Sequence, residues 1–324
     1  MDNLKPPASQ AAQTALRAGV FAAVSLVVVG FIAIALAVAT YFYPPLFLLG
    51  LGLLNRKPMC ANTEVLRGAE THRLGEKYRV ELQGSARLIQ KDPAGYNLWE
   101  TPRGRWWIPA GSDKFLPALL AQQQSKIYGS GRSGVQSGDV VLDCGAHIGV
   151  YTREALDSGA KLVVAIEPSP GNLECFRRNM SREIAAGRVI VCPKGVWDKE
   201  DMLALNEDPN NTAADSFVVQ AAEHNVAVPR IALTTIDLLV SELALLKVDM
   251  IKMDIKGATQ RALTGGKGTL SRNKPRIAIS TEETEDNPKE VAAFIDAMGL
   301  GYRVQCGACS MDSLMVHPDV LLFR

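Results

Sequence analysis

Strong charge of either sign is missing from this chain. Thirty-five lysines and arginines nearly balance 34 aspartates and glutamates, leaving +1 over 324 residues. That is no footprint for a nucleic-acid binder, so nucleic acid is not an expected partner. Cysteine is also scarce. The six, Cys60, Cys144, Cys175, Cys192, Cys306 and Cys309, are too scattered to build a disulfide framework. Several stand in apolar, strand-like text, where a free thiol acts as a small buried hydrophobe. Cys306 and Cys309 form one C-x-x-C, in "CGAC", but structural zinc wants four ligands and no second pair stands nearby. Two thiols packed in a turn is the plainer reading, and no metal is expected. His72, His224 and His317 show no ligand spacing either. Repeats and low-complexity tracts are absent, as is the phosphate loop G-x-x-x-x-G-K-[ST], and the glycine turn after Asp143 does not have the dinucleotide form G-x-G-x-x-G.

Hydrophobicity is concentrated at one end. Gly19 to Tyr43 runs 25 residues without a charge, more than the roughly 20 needed to span a bilayer as a helix. Tyr41, Phe42 and Tyr43 suit the membrane–water boundary, and Pro44 and Pro45 end the helix. The following "LFLLGLGLL", Leu46 to Leu54, is too short to cross again and is expected at the interface or beneath the protein. A cleaved leader is the competing reading, since Ala37-Val38-Ala39 resembles a cleavage site. The apolar core is long for a leader, however, and apolar sequence continues past the supposed cut. The expectation is a single-pass anchor with the bilayer as partner. Arg56, Lys57, Arg67 and Arg73 after the span, against Lys5 and Arg17 before it, lean toward a cytoplasmic C-terminal body.

The chain then divides into a tail (1–18), the apolar region (19–54), a connector with short strands such as "KYRVEL" (55–109), and a main domain (110–324). The connector ends in "YNLWETPRGRWWIPAG", with three of the four tryptophans and the alternation of a hairpin. Its aromatic residues either cover a substrate or plug the open end of the core. Beyond Leu116, apolar runs "DVVLD", "KLVVAIEP", "RVIVCP", "VDMIKMD" and "PRIAIS" alternate with helical stretches. Ser169 is placed to cap one helix. Asn287, Pro288 and Glu290 open another, which Gly299 stops. The pattern predicts an α/β fold, a doubly wound and mainly parallel sheet. Such sheets bind ligands at the carboxyl ends of their strands, so the strand-terminal acids Asp143, Glu167 and Asp254 should share one edge.

The turn "VVLDCGAHIGVYT" decides the ligand class. Gly145 and Gly149 bracket "AHI", and His147 stands where a dinucleotide turn needs glycine, so a pyrophosphate is poorly served and a nicotinamide cofactor disfavoured. S-adenosylmethionine has no phosphates. Glu167, 24 residues beyond Asp143, has the spacing of an acid that accepts from a ribose diol. Gly145 admits close approach of the ligand tail, while Asp143 and Asp254 put negative charge near the sulfonium. A helix cap is the bland alternative for Asp143.

Three segments carry a resemblance: "VVLDCGAHIGVYT", "VVAIEPSPGNLECFRRN" and "LTTIDLLVSELALLKVDMIKMDIKGA". They resemble the FkbM-type S-adenosylmethionine-dependent methyltransferases over about residues 110 to 324. The resemblance implies a seven-stranded class I methyltransferase sheet whose last strand, "DVLLFR", is antiparallel. It implies O-methylation of a sugar, lipid-linked or secondary-metabolite hydroxyl. It also places Gly145 under the methionine tail, Glu167 on the ribose, Gly195 and Val196 beside adenine, and Asp254 at the methyl centre.

One departure stands out. The family usually carries D-x-E-G-x-E, whereas this chain reads "DIKGAT", with Lys256 and Thr259 in place of the glutamates. Methyl transfer needs alignment, and an alcohol acceptor needs a base. Asp254 is the first candidate and His147 the second, contact with the ligand tail being the plainer role for the histidine. Lys256 can meet an anionic acceptor or simply lie at the surface. Two functions follow: a membrane-anchored methyltransferase acting on a small-molecule, glycan or lipid acceptor, or a catalytically silent methyltransferase-like subunit assembling with a membrane-complex partner.

Overall fold

The structure, a computed structural model, describes residues 17, 19–32, 34–35, 43–206, 208, 211–212, 215, 217, 230–281, 287–312 and 315–324. Two compact units emerge, 1–57 with 313–315 and 58–312 with 316–324. In the first, residues 19–32 are helical and their large apolar side chains are exposed. The expected transmembrane helix over 19–43 is not found there: among the described residues no helix is long and apolar enough to cross a membrane. The rest of that expectation, residues 33 and 36–42, lies outside the described residues, as does most of the 1–18 tail. The apolar stretch after it is the helix α1 (Pro44–Leu53), with proline in its first turn. Pro44 and Pro45 thus open a helix, where proline needs no N–H partner.

The second unit begins with α2 (Asn62–Ser85). Here the expected strand "KYRVEL" is instead helical. The pairs Arg73–Glu70, Arg79–Glu76 and Lys77–Glu81 sit three or four residues apart, a spacing that stabilises helix and does nothing for strand. The connector's strands are β1 (Arg87–Asp92), β2 (Tyr96–Thr101) and β3 (Gly104–Pro109), an antiparallel sheet that includes the expected hairpin. The helix α3 (Leu116–Gln124) follows.

The main sheet contains β4 (Val140–Cys144), β5 (Leu162–Ile166) and β6 (Val189–Cys192). A small side sheet holds β7 (Gly195–Val196), β8 (Asp201–Ala204) and β9 (Arg230–Thr234). The main sheet resumes with β10 (Met250–Met253), β11 (Arg276–Ser280), β12 (Val304–Cys306) and β13 (Val320–Phe323). Its order is β12-β13-β11-β10-β4-β5-β6, and β13 runs antiparallel to both neighbours. This is the α/β sheet of seven strands that the sequence predicts, with "DVLLFR" as the reversed strand. Alternate residues feed separate cores: Val141, Val163 and Met250 face one, Leu142, Val164 and Ile251 the other. Burial on both faces explains why these strands read as continuous apolar runs.

From β4 the chain winds outward through β5 and β6, then returns on the other side through β10 and β11. The crossing lies between β4 and β10, the topological switch point at which such sheets hold ligands. Two helices frame it: α4 (Val150–Asp157), begun by Gly149, and α5 (Pro170–Asn179). Ser169 precedes α5, but its hydroxyl does not cap the helix. Asn287 does cap its helix, accepting from the Lys289 N–H at 3.0 Å, and Gly299 ends it at φ +66°.

The tryptophan hairpin packs and does not cover the cleft. Trp106 is buried in the core. Asn179 accepts from the Trp107 N–H (2.7 Å) and donates to the Trp107 and Ile148 carbonyls (2.9 Å each). The Arg178 guanidinium lies 4.6 Å from the Trp107 ring centre. The cysteines divide differently from expectation. Cys144, Cys175, Cys192 and Cys309 are free and buried, but Cys306 is joined to Cys60 in a disulfide with its α-carbons 6.1 Å apart. Cys60 lies 246 residues away in sequence, a pairing that local spacing does not reveal.

Candidate active site

Gly145 ends β4 in a left-handed turn (φ +79°), and a Cβ there would stand 2.1 Å from the Asp254 carbonyl oxygen. The two strand ends at the switch point are therefore in backbone contact, which only glycine allows. Two residues on, His147 is itself left-handed (φ +50°), a conformation that costs a non-glycine residue of order 1 kcal/mol or more. The turn is held by Glu167, just past β5. Its carboxylate accepts from the His147 N–H (2.7 Å), the Ser169 N–H (2.9 Å) and Asn172 Nδ2 (3.4 Å). Burial pushes the Glu167 carboxyl up, and these hydrogen bonds pull part of the way back.

One cleft brings together Gly145, His147, Glu167, Gly195, Val196 and Asp254. Gly149 instead starts α4, where a side chain would press on Phe176 and Met180. Asp143 does not border the cleft. It is fully buried one layer beneath, 3.3 Å from Lys252 and accepting from the Thr152 hydroxyl at 2.7 Å. From there it pairs with Lys252 and Thr152 beneath the turn and does not cap α4. Burial raises its carboxyl above the usual range, while Lys252 and Thr152 hold it back.

Lys252 is the residue that sequence reasoning missed. It stands opposite Asp143 across the β4–β10 ladder. Its ammonium donates to the Gly145 carbonyl at 2.7 Å and lies 5.4 and 5.7 Å from the Tyr128 and Tyr151 ring centres. A lysine inside the apolar strand "MIKM" was the available signal, because a buried ammonium requires partners. Tyr128, Asn172 and Thr212 had none. Tyr128 donates to Asp254 Oδ2 at 3.0 Å. Thr212 receives Asn172 Nδ2 on its carbonyl (3.1 Å) and meets His147 Nε2 with its hydroxyl (3.1 Å).

The acids and His147 are tuned in different directions. Burial opposes the charge on Asp254, but Lys252 and Lys256, helped by the Tyr128 hydroxyl, outweigh it and hold the carboxyl below its ordinary range. His147 is pushed down to about 4, by burial first and then by Lys252 and Lys256. It is a neutral, weak base at physiological pH. In "DIKGAT", Lys256 is near enough to act on both groups, while Thr259 is buried at the start of the next helix, Thr259–Gly265.

The chemistry of the lining fits a sulfonium nucleoside. Asn172 Oδ1 is buried in the cleft with no hydrogen-bond partner among the described residues, an acceptor that a ligand donor would satisfy. Glu167 retains acceptor capacity, Ile166, Val196, Leu205 and Ile255 offer apolar walls, and Gly145 leaves its backbone bare. A second, more polar cavity of about 630 Å³ lies across α3. Leu119 and Gln123 face the first space, Ala118 and Ala121 the second, and Gln122 borders both. Its polar lining includes His72, Glu76, Arg79, Thr281 and Asp319, with His72 Nδ1 3.3 Å from Asp319.

The methyltransferase FkbM domain profile matches residues 143–304, half of the chain, which therefore belongs to the FkbM methyltransferase family. Among solved structures, an FkbM methyltransferase of Methylobacillus flagellatus KT is similar at 17% identity and TM-score 0.45, over 79% of this chain and 60% of that one. Precorrin-6y C5,15-methyltransferase of Geobacter metallireducens GS-15 is similar at 16% and 0.35, over 62% and 85%. Trm5b of Pyrococcus abyssi is similar at 13% and 0.40, over 73% and 57%. The chain thus spans about three fifths of the Methylobacillus protein. No curated protein matches the sequence.

Two predictions test the cleft. Lys252→Met should cost about 3–5 kcal/mol in urea denaturation by leaving Asp143 buried and unpaired, and Asp143→Asn/Lys252→Met should recover much of that loss. Between pH 6.5 and about 4 the unfolded chain protonates His147 while the native one resists. Stability should therefore fall with pH by about 3 kcal/mol across that window, and His147→Gln should remove this component from the stability–pH curve.

Proposed function

We propose that the chain is an S-adenosylmethionine-dependent methyltransferase acting on a hydroxyl of a sugar, lipid-linked or secondary-metabolite acceptor beside a membrane. The observation that carries this reading is the shared cleft of Glu167 and Asp254 on either side of the side-chain-free Gly145. Glu167 and Asn172 would hold the ribose and neighbouring donors, Gly195 and Val196 the adenine edge, and Gly145 the methionine tail. Bound there, S-adenosylmethionine supplies an electrophilic methyl group. Asp254, kept ionised by Lys252 and Lys256, is positioned by the Tyr128 hydroxyl to accept the proton of an acceptor alcohol. His147, held neutral and engaged with Thr212, serves the turn and the ligand tail. The acceptor hydroxyl has to enter the cleft beside Asp254, and Lys256, close enough to act on that carboxylate, favours an acceptor with negative charge.

The membrane part of the proposal rests on the exposed apolar side chains of the first unit. Phe21, Leu26 and Phe31 are 79%, 74% and 71% exposed, a density that soluble surfaces rarely carry. With the basic residues after that segment, this favours a cytoplasmic body held at a bilayer.

Calorimetry should find S-adenosylmethionine binding that Glu167→Ala weakens by roughly ten- to a hundredfold, the loss of one to two charge-assisted hydrogen bonds. Equal affinities would remove Glu167 from the site. Methyl-labelled donor should then mark a lipid or glycan fraction of native membranes, while binding without transfer would favour the silent assembly subunit. The full chain should float with phospholipid vesicles in a density gradient, and Leu26→Asp/Phe31→Asp should leave it in the dense fractions. Unchanged flotation of that variant would refute anchoring by this segment.

A further inference from the structure

Cys60, Glu64 and Cys306 bring their donor atoms within 4.8 Å of one another, all half-buried, and they are the only such group of three among the described residues. They come from separate places. Cys60 precedes α2, Glu64 lies in its first turn, and Cys306 ends β12 on the sheet edge. All three lie outside the residues matched by the family profile. The structure joins the two sulfurs as a disulfide. A neutral disulfide has no use for an adjacent carboxylate, and a carboxylate disfavours the thiolates from which a disulfide forms. Two thiolates and a carboxylate together carry three negative charges at close quarters, an arrangement that a divalent cation stabilises. Sulfur donors select a borderline-soft ion over magnesium or calcium.

Cys309, three residues beyond Cys306, is the nearest further thiol in sequence. Its thiol is buried and pushed up to about 12, by burial first and then by the charges of Asp319 and Glu64, so it lies within electrostatic reach of the same carboxylate. The C-x-x-C that lacked a second pair in sequence thus meets Cys60 and Glu64 in space.

We propose that in the reduced chain Cys60, Glu64 and Cys306 bind one zinc ion whose fourth ligand is a water, and that the disulfide is the oxidised, metal-free state of the same clasp. A phosphine reductant balances the conversion. Phosphine, water and the disulfide give two thiols and a phosphine oxide, the phosphorus supplying two electrons and water the oxygen and two protons. Zinc then displaces the two thiol protons. Either state ties the start of α2 to β12, and α2 carries His72, Glu76 and Arg79 of the polar cavity. The site does not depend on the methyl-transfer reading.

The full chain, reduced with a phosphine and freed of reductant, should take up one zinc per chain by elemental analysis. Cobalt(II) should give a thiolate charge-transfer band in the near ultraviolet. The oxidised chain should bind neither ion. Cys60→Ser and Cys306→Ser should abolish stoichiometric uptake, with circular dichroism confirming that they fold. Glu64→Gln should weaken zinc by roughly tenfold or more, a loss that even an outer partner of a metal commands. No uptake by the reduced wild-type chain, or undiminished uptake by folded Cys60→Ser and Cys306→Ser, would overturn the assignment.

Discussion

A single buried ion pair underlies the geometry of the cleft. Lys252 and Asp143 face each other from adjacent central strands, where neither charge meets water. Leaving either alone there would cost several kcal/mol, so the pairing fixes the register of β4 against β10 at the switch point. The same ammonium holds the Gly145 carbonyl, and two residues later β10 delivers Asp254. The floor of the turn and the acid beside it are thereby set by one contact between strands. Glu167 completes the arrangement from the other side by taking the His147 N–H.

Much of this was legible beforehand because parallel strands buried on both faces leave a plain trace. Five apolar runs in "DVVLD", "KLVVAIEP", "RVIVCP", "VDMIKMD" and "PRIAIS" became β4, β5, β6, β10 and β11. Two of the three strand-terminal acids reached the cleft itself, since strand polarity sends all carboxyl ends to one edge. Asp143 went beneath because it lies within β4, as its fourth residue, whereas Glu167 and Asp254 stand just past the ends of β5 and β10. The connector was read less well. "KYRVEL" alternates as a strand would, but its ion pairs and the length of α2 settled it as helix. The Cys60–Cys306 link and the Tyr128–Asp254 bond join residues 246 and 126 positions apart. Such contacts belong to tertiary structure and have no local signature.

The substitution of the usual glutamates in "DIKGAT" changes the electrostatics more than the architecture. Thr259 is enclosed in the fold and leaves no charge at that position. Lys256 adds a positive charge that lowers both Asp254 and His147. With the histidine held neutral, proton acceptance in the proposed reaction falls to the carboxylate. The positive neighbours keep that carboxylate ionised at the expense of its strength as a base. An acceptor whose hydroxyl is already acidified, or which brings its own negative group to Lys256, would ask least of such an acid.

The wall formed by α3 separates two spaces of different origin. The cleft of Glu167 and Asp254 is built largely from the segment shared with the family, residues 143–304. Across the helix, His72, Glu76, Arg79, His317 and Asp319 come from the flanks. A change in those flanking residues therefore reshapes the second space and leaves the lining of the first untouched. Two chains alike in the turn after β4 need not be alike across α3.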